Sequence, residues 1–204
     1  MDNQNKVFDS VAGFKPQYSR FDRSHEHKTT FNIGELVPFY CDEILPGDVF
    51  SGRAEIMARF APMLSPIMHR VNIFTHFFFV PNRIIWDDCE DFITGGDDGT
   101  ASPTYPTLTG SVGTGGQFTK GTVYDYLGMP TIGSVNPTTP LNFVSELPFR
   151  AYHLIWSEYY RDQVLQTEFD PNASNSDAVL TALRLRVWEK DYFTSCLPTP
   201  QKIA

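Results

Sequence analysis

Between residues 49 and 60 the chain alternates with a period of two. Phe50, Gly52, Ala54, Ile56, Ala58 and Phe60 fall on one side, and Ser51, Arg53, Glu55 and Arg59 on the other. Successive side chains of an extended strand leave opposite faces of a sheet, so this is the pattern of a half-buried β-strand. Leu45-Pro46-Gly47-Asp48 supplies a turn ahead of it, and Pro62 and Pro66 punctuate its far end. A second run starts at Met68, with Val71, Ile73, Phe77 and Phe79 on one face. Phe74, Phe78 and Val80 interrupt the polar face that Arg70, Asn72 and His76 begin. A strand apolar on both faces has to be central in a sandwich or covered by another layer or subunit. Residues 36–83 are therefore expected to form core strands.

The rest of the composition agrees with a turn-rich β protein. Phe and Tyr number 17 and 9, with 15 Pro and 14 Gly in 204 residues, which favours pleated surfaces and large packed interfaces. The length suits one sizeable core in a single domain. A formal net charge of −8 argues against bulk binding of nucleic acid, although one basic face remains compatible with it. Cys41, Cys89 and Cys196 are odd in number, far apart and outside any metal-ligand spacing. They are expected to be free thiols in a reducing compartment. No stretch is long and apolar enough for a membrane span, so no membrane partner is expected.

Residues 1–35 have scattered aromatics and no sustained period, and are expected to be an arm. Arg20, Arg23, His25, His27 and Lys28 give it a local positive cluster. His25-x-His27 admits a metal reading of the cupin type. That motif needs a glutamate a few residues on, and Glu35 is too far along. A solvated or interface arm is the stronger reading.

Residues 84–96 predict a short helix, with Ile85, Cys89, Phe92 and Ile93 at three- and four-residue steps and Gly95-Gly96 as its stop. Asp87, Asp88, Glu90 and Asp91 would suit acid–base chemistry or a cation. They equally suit the positive end of the helix dipole, and nothing else points at them. Residues 97–140, rich in Gly, Ser, Thr and Pro, predict an exposed surface insertion with a short helical segment at 122–127. Gly113-x-Gly115-Gly116 lacks the Lys-Ser/Thr ending of a phosphate loop.

Residues 140–163 hold the best helix. Pro148 suits its first turn, Ser145 is a candidate N-cap, and Phe149, Tyr152, Trp156, Tyr159 and Tyr160 build one aromatic face. Leu183, Leu185 and Val187 then alternate with Arg184 and Arg186 over a short strand-like run.

Several of these segments resemble one family. Ser19-Arg20-Phe21-Asp22-Arg23-Ser24-His25 with Lys28-Thr29-Thr30-Phe31 is similar to the start of the major capsid proteins of microviruses, in particular the gokushovirus-like branch. So are Leu36-Val37-Pro38-Phe39-Tyr40, Asp42-Glu43-Ile44-Leu45-Pro46-Gly47-Asp48, Phe77-Phe78-Phe79-Val80-Pro81-Asn82-Arg83 and Trp86-Asp87. Pro148-Phe149-Arg150-Ala151-Tyr152, Ile155-Trp156, Tyr160-Arg161-Asp162-Gln163 and Asp191-Tyr192-Phe193-Thr194-Ser195 continue it. The resemblance is dense over 19–96, good over 147–163 and 190–202, and poor over 97–140.

It implies a mainly β fold, an antiparallel eight-stranded viral jelly roll with helical and loop insertions, assembled into a small icosahedral shell around circular single-stranded DNA. The family's chains continue past the Asp-Tyr-Phe-Thr-Ser segment. Residues 1–204 are accordingly expected to be an N-terminal portion of a longer jelly-roll subunit, incomplete as a barrel. The implied partners are other capsid subunits, packaged single-stranded DNA and other virion proteins. The implied location is the virion, and the host bacterial cytoplasm during assembly. No catalytic, cofactor or metal residue is expected. Two other classes compete: a jelly-roll carbohydrate-binding module using Trp86, Trp156 or Trp188, and a cupin-like metalloenzyme. Arg20, Arg23 and Lys28 are the candidate DNA contacts, with ion pairs between subunits as their alternative role.

Overall fold

The computed structural model describes residues 17–108, 118–131, 144–189 and 191–193. The expected jelly roll is not what it contains. Among the described residues there is no strand, only two isolated antiparallel bridges, Glu35 with Leu185 and Thr107 with Ser145. Residues 49–80 carry no regular element, with bends at Leu64, Ser65 and His69, and none makes a backbone hydrogen bond to another described residue. Their alternation fixes which side chains share a face, but a strand exists only when its N–H and C=O groups find a second strand. No described segment offers them one. The expected sheet core is consequently exposed: Phe50 is 47%, Ile56 55%, Phe60 53% and Phe77 64% accessible.

The core lies elsewhere, around α4 (Leu147–Ile155). Pro148 sits in its first turn, where a missing N–H costs nothing. Glu146 occupies the N-cap position, and the Ser145 hydroxyl accepts the Leu147 N–H at 3.2 Å. The expected capping side chain is thus used, one residue before the cap. The helix presents two apolar stripes. Leu147, Ala151 and Leu154, spaced for one face, pack with Ile85, Trp86 and Cys89. Phe149, Tyr152 and Trp156 face a larger cluster of Leu108, Phe118, Val123, Tyr124, Val144, Phe169 and Leu180. Beyond Ile155 the chain widens into a π-helical turn, Trp156–Tyr160. It buries Trp156 and leaves Tyr159 outside.

The predicted helix at 84–96 is two short ones, α1 (Asn82–Ile85) and α2 (Cys89–Thr94). Gly95 ends α2 in the left-handed region, at φ 84°, with its N–H on the Asp91 carbonyl. Glu90 and Asp91 fill the first turn of α2, in keeping with the dipole reading. Ile85 and Cys89 are buried, whereas Ile93 is exposed. Arg150 ties α1 to α4. Its guanidinium makes bonds of 2.9 and 2.6 Å to the Glu146 carboxylate and a third, of 3.2 Å, to the Ile85 carbonyl.

Residues 118–131 correct the reading of 97–140 as a surface insertion. Phe118, Val123, Tyr124 and Tyr126 are buried, three of them on α3 (Val123–Tyr126). Residues 109–117 and 132–140 of that stretch lie outside the described residues, as do Cys196 and the matching Thr194-Ser195. The polar composition signals irregular backbone, while the few aromatics among the Gly and Thr decide what is buried.

The last elements are α5 (Asp177–Leu180) and the antiparallel contact of 34–36 with 184–186. Leu36 N–H donates to the Arg184 carbonyl at 3.0 Å, and Arg186 N–H to the Gly34 carbonyl at 2.8 Å. Two α4-side aromatics clamp this contact. The Tyr152 hydroxyl donates to the Leu36 carbonyl at 2.9 Å and accepts the Arg184 N–H at 2.8 Å. Trp156 Nε1–H donates to the Leu185 carbonyl at 3.2 Å.

Two tyrosines give a direct test. Tyr152→Phe breaks two hydrogen bonds and leaves two half-buried backbone groups without their partner, a loss of about 1–3 kcal/mol in a denaturant titration. The Tyr124 hydroxyl is buried without a hydrogen-bond partner among the described residues, so Tyr124→Phe is expected to leave stability unchanged or raise it by up to about 1 kcal/mol.

Candidate assembly surface

The largely exposed stretch 17–80 splits into an anchored arm and an apolar ribbon. The arm is held by side chains of its own neighbourhood. Asp42 accepts Arg23 Nε at 2.8 Å and the Tyr40 hydroxyl at 2.7 Å. The His25 ring stacks on Tyr40 with centroids 5.3 Å apart, and the Tyr126 hydroxyl donates to the Thr30 carbonyl at 2.8 Å. Ser24 gives Asp22 both its hydroxyl and its backbone N–H, which hold that carboxyl below the usual carboxylate range.

These contacts sort the three candidate DNA residues. Arg23 is spent on Asp42, and Lys28 lies 2.9 Å from Glu26 on a fully exposed stretch. Arg20 has no ion-pair partner among the described residues and is exposed. The three do not converge into one site. His25 and His27 do not either: among the described residues no group of three His, Cys, Asp or Glu side chains is placed to hold a metal ion. Of the three tryptophans weighed for a sugar groove, Trp86 and Trp156 are buried and Trp188 stands in solvent at 83% exposure.

The ribbon, 49–80, touches the core at its second half. His76 Nδ1 meets the Tyr160 hydroxyl with the two rings stacked, Phe78 packs on Tyr159 at 4.9 Å, and the Arg186 guanidinium lies over Phe74 at 5.4 Å. Phe39 meets Phe77 edge-on at 5.9 Å. The first half keeps only side-chain contacts, Tyr40 with Phe50 and Arg53 with Glu55. What remains is a length of backbone whose N–H and C=O groups find no backbone partner among the described residues, carrying Phe50, Ile56, Met57, Phe60, Ile73, Phe74, Phe77 and Phe79 into solvent. Unpaired extended backbone with apolar side chains is a surface made to be covered. Its chemistry is recognition, with main-chain bonds for affinity and alternate side-chain pockets for register.

The ribbon's charges differ in sign from those that follow it. Arg53, Arg59, Arg70 and Arg83 face a single Glu55 over 49–83, whereas residues 84–108 carry Asp87, Asp88, Glu90, Asp91, Asp97 and Asp98 with no Lys or Arg. Sequence reasoning expected the ribbon as core strands, and the structure leaves it in solvent without a pairing strand among the described residues. It missed the joint of His153, Arg184 and Tyr152 altogether. Tyr152 read as one more aromatic of a stripe, Arg184 as the polar face of a short strand.

Comparison with known proteins agrees with the resemblance. A family model described as capsid protein (F protein) matches residues 10–204. Capsid protein VP1 of Chlamydia phage 1 is 41% identical over 218 residues, covering 96% of this chain and 35% of that protein. Capsid protein VP1 of Bdellovibrio phage phiMH2K is 36% identical, covering 96% of this chain and 36% of the relative. For Spiroplasma virus 4 the figures are 32%, 86% and 34%. The chain spans about a third of the length of the curated relatives it matches.

One substitution separates a core ribbon from a recognition ribbon. If 50–60 were core, Ile56→Asp would abolish folding; with Ile56 55% exposed, the variant is expected to keep the wild-type denaturation midpoint. Its self-association, followed by sedimentation velocity, is expected to weaken, because an aspartate on that face has to be desolvated in any packed contact. Glu55→Gln on the opposite face is expected to leave both unchanged.

Proposed function

The chain belongs to the capsid protein (F protein) family, and from that premise we propose that it builds the icosahedral shell of a small single-stranded-DNA bacteriophage. Its role is structural, and its working contacts are those with other copies of the subunit and with the packaged genome. The observation that carries this reading is the ribbon at 49–80. A self-sufficient enzyme or sugar-binding module would bury such a run, whereas a shell subunit holds surface in reserve for its neighbours. The protein then resides in the virion, assembles in the cytoplasm of the bacterial host, and meets other virion proteins there.

The genome reading rests on the arm. A chain of net charge −8 repels phosphate as a whole, so contact with DNA has to be local. Among Arg20, Arg23 and Lys28, Arg20 is the contact the ion pairing favours, since its guanidinium is committed to no carboxylate among the described residues. Arg23 and Lys28 must first give up Asp42 and Glu26.

Salt titration of single-strand binding tests the order. Arg20→Gln is expected to lower the slope of log K against log salt by roughly 0.7, the value for one phosphate contact on a single strand. Arg23→Gln and Lys28→Gln are expected to lower it less. Equal slopes for wild type and the triple variant would remove the arm from the DNA interface and leave its cations to subunit contacts.

A further inference from the structure

His153 is fully buried on α4, and both of its ring nitrogens are engaged. Nε2 lies 2.9 Å from the Leu180 carbonyl and Nδ1 3.1 Å from Arg184 Nε. A carbonyl only accepts and a guanidinium N–H only donates, so the ring must carry one proton, on Nε2, and offer Nδ1 as a bare acceptor. Arg184 is therefore held by a neutral imidazole. It has no carboxylate partner among the described residues, and its other contact is the face of Trp156, 4.5 Å from the ring centroid. The same residue is the hinge pin of the antiparallel contact: its N–H goes to Tyr152 and its carbonyl takes the Leu36 N–H.

We propose that His153 and Arg184 form an acid-sensitive latch that holds the arm, at residues 34–36, onto the core. A proton taken from solvent at Nδ1 turns the acceptor into a donor facing a donor. Two cations then stand about one hydrogen-bond length apart. Neither the His153 ring nor the Arg184 guanidinium is hydrogen-bonded to a carboxylate among the described residues. Tyr152 and Phe169 flank the ring, α5 contributes the Leu180 carbonyl and the buried Asp177, and Glu35 on the arm side is bonded to Asn32.

Arg184 has somewhere to go. A cavity of about 510 Å³ opens beside it, bounded by Trp156, Glu168, Phe169 and Asp170. Two carboxylates at the wall of that cavity would receive a guanidinium leaving the imidazole. Burial first, then the Arg184 charge, pushes the His153 ring down to about 4. The folded-state value is thus depressed below the ordinary imidazole value of 6.5. The latch is whole above pH 6.5 and weakens as the pH falls from there towards 4.

Amide hydrogen exchange on the whole chain reads the latch residue by residue. After correction for intrinsic rates, protection of the Leu36 and Arg186 amides is expected to fall at least tenfold between pH 7 and pH 4.5. The Gly95 amide, which closes α2, is expected to change less than twofold. His153→Gln, able to donate to Leu180 and accept from Arg184 without titrating, is expected to keep Leu36 and Arg186 protected across the range. Unchanged protection in the wild type, or the same loss in His153→Gln, would overturn the proposal. Should His153→Gln fail to fold, NMR titration of the wild-type His153 ring decides. Opening of Leu36 that tracks its protonation supports the latch, and protonation with Leu36 still protected sinks it.

Discussion

The pairing of the arm with residues 184–186 hangs on one hydroxyl-bearing ring of α4. Tyr152 holds the backbone of 34–36 with one hydrogen bond and the backbone of 184–186 with another, so segments some 150 residues apart in sequence are fixed by a side chain between them. Burial pushes its phenol up to about 12, which keeps the hydroxyl protonated as the donor that Leu36 requires. Trp156, one turn on, repeats the arrangement at Leu185. The short antiparallel contact is stable because α4 supplies its third layer.

That dependence explains which expectations survived. The helix at α4, its proline, the use of Ser145 at its start and the glycine stop after Thr94 rest on interactions within a few residues, and local chemistry is legible in sequence. The short strand-like run of Leu183 to Val187 meets 34–36 in a single antiparallel bridge, whereas the strong candidates at 49–60 and 68–80 find no strand among the described residues. Period-two patterning reports the faces of an extended chain and is silent about whether a neighbour exists. The burial of Phe118, Val123 and Tyr124 was hidden for another reason. Their flanks of Gly and Thr look like loop, and only long-range packing on Phe149 reveals the stretch as core.

The candidate site divides the same way. Arg20, Arg23 and Lys28 are visible as a cluster in sequence, but the ion pairs that rank them come from Asp42, nearly twenty residues beyond Arg23, and from Glu26. The resemblance to microvirus capsid proteins identifies the family from dispersed motifs. The strongest of these, Phe77-Phe78-Phe79-Val80 and the turn at 45–48, lie in segments with little of the core's packing.

α4 is the shared wall of two apolar clusters, with Leu147, Ala151 and Leu154 on one side and Phe149, Tyr152 and Trp156 on the other. Neither cluster has a second helix of comparable length among the described residues. The two therefore cannot melt as separate units. Loss of α4 removes the backing of both at once, and with it the clamp on the arm. The dependence runs one way: unfolding of α4 takes the clamp with it, whereas release of the arm at 34–36 leaves the buried members of both clusters packed on α4.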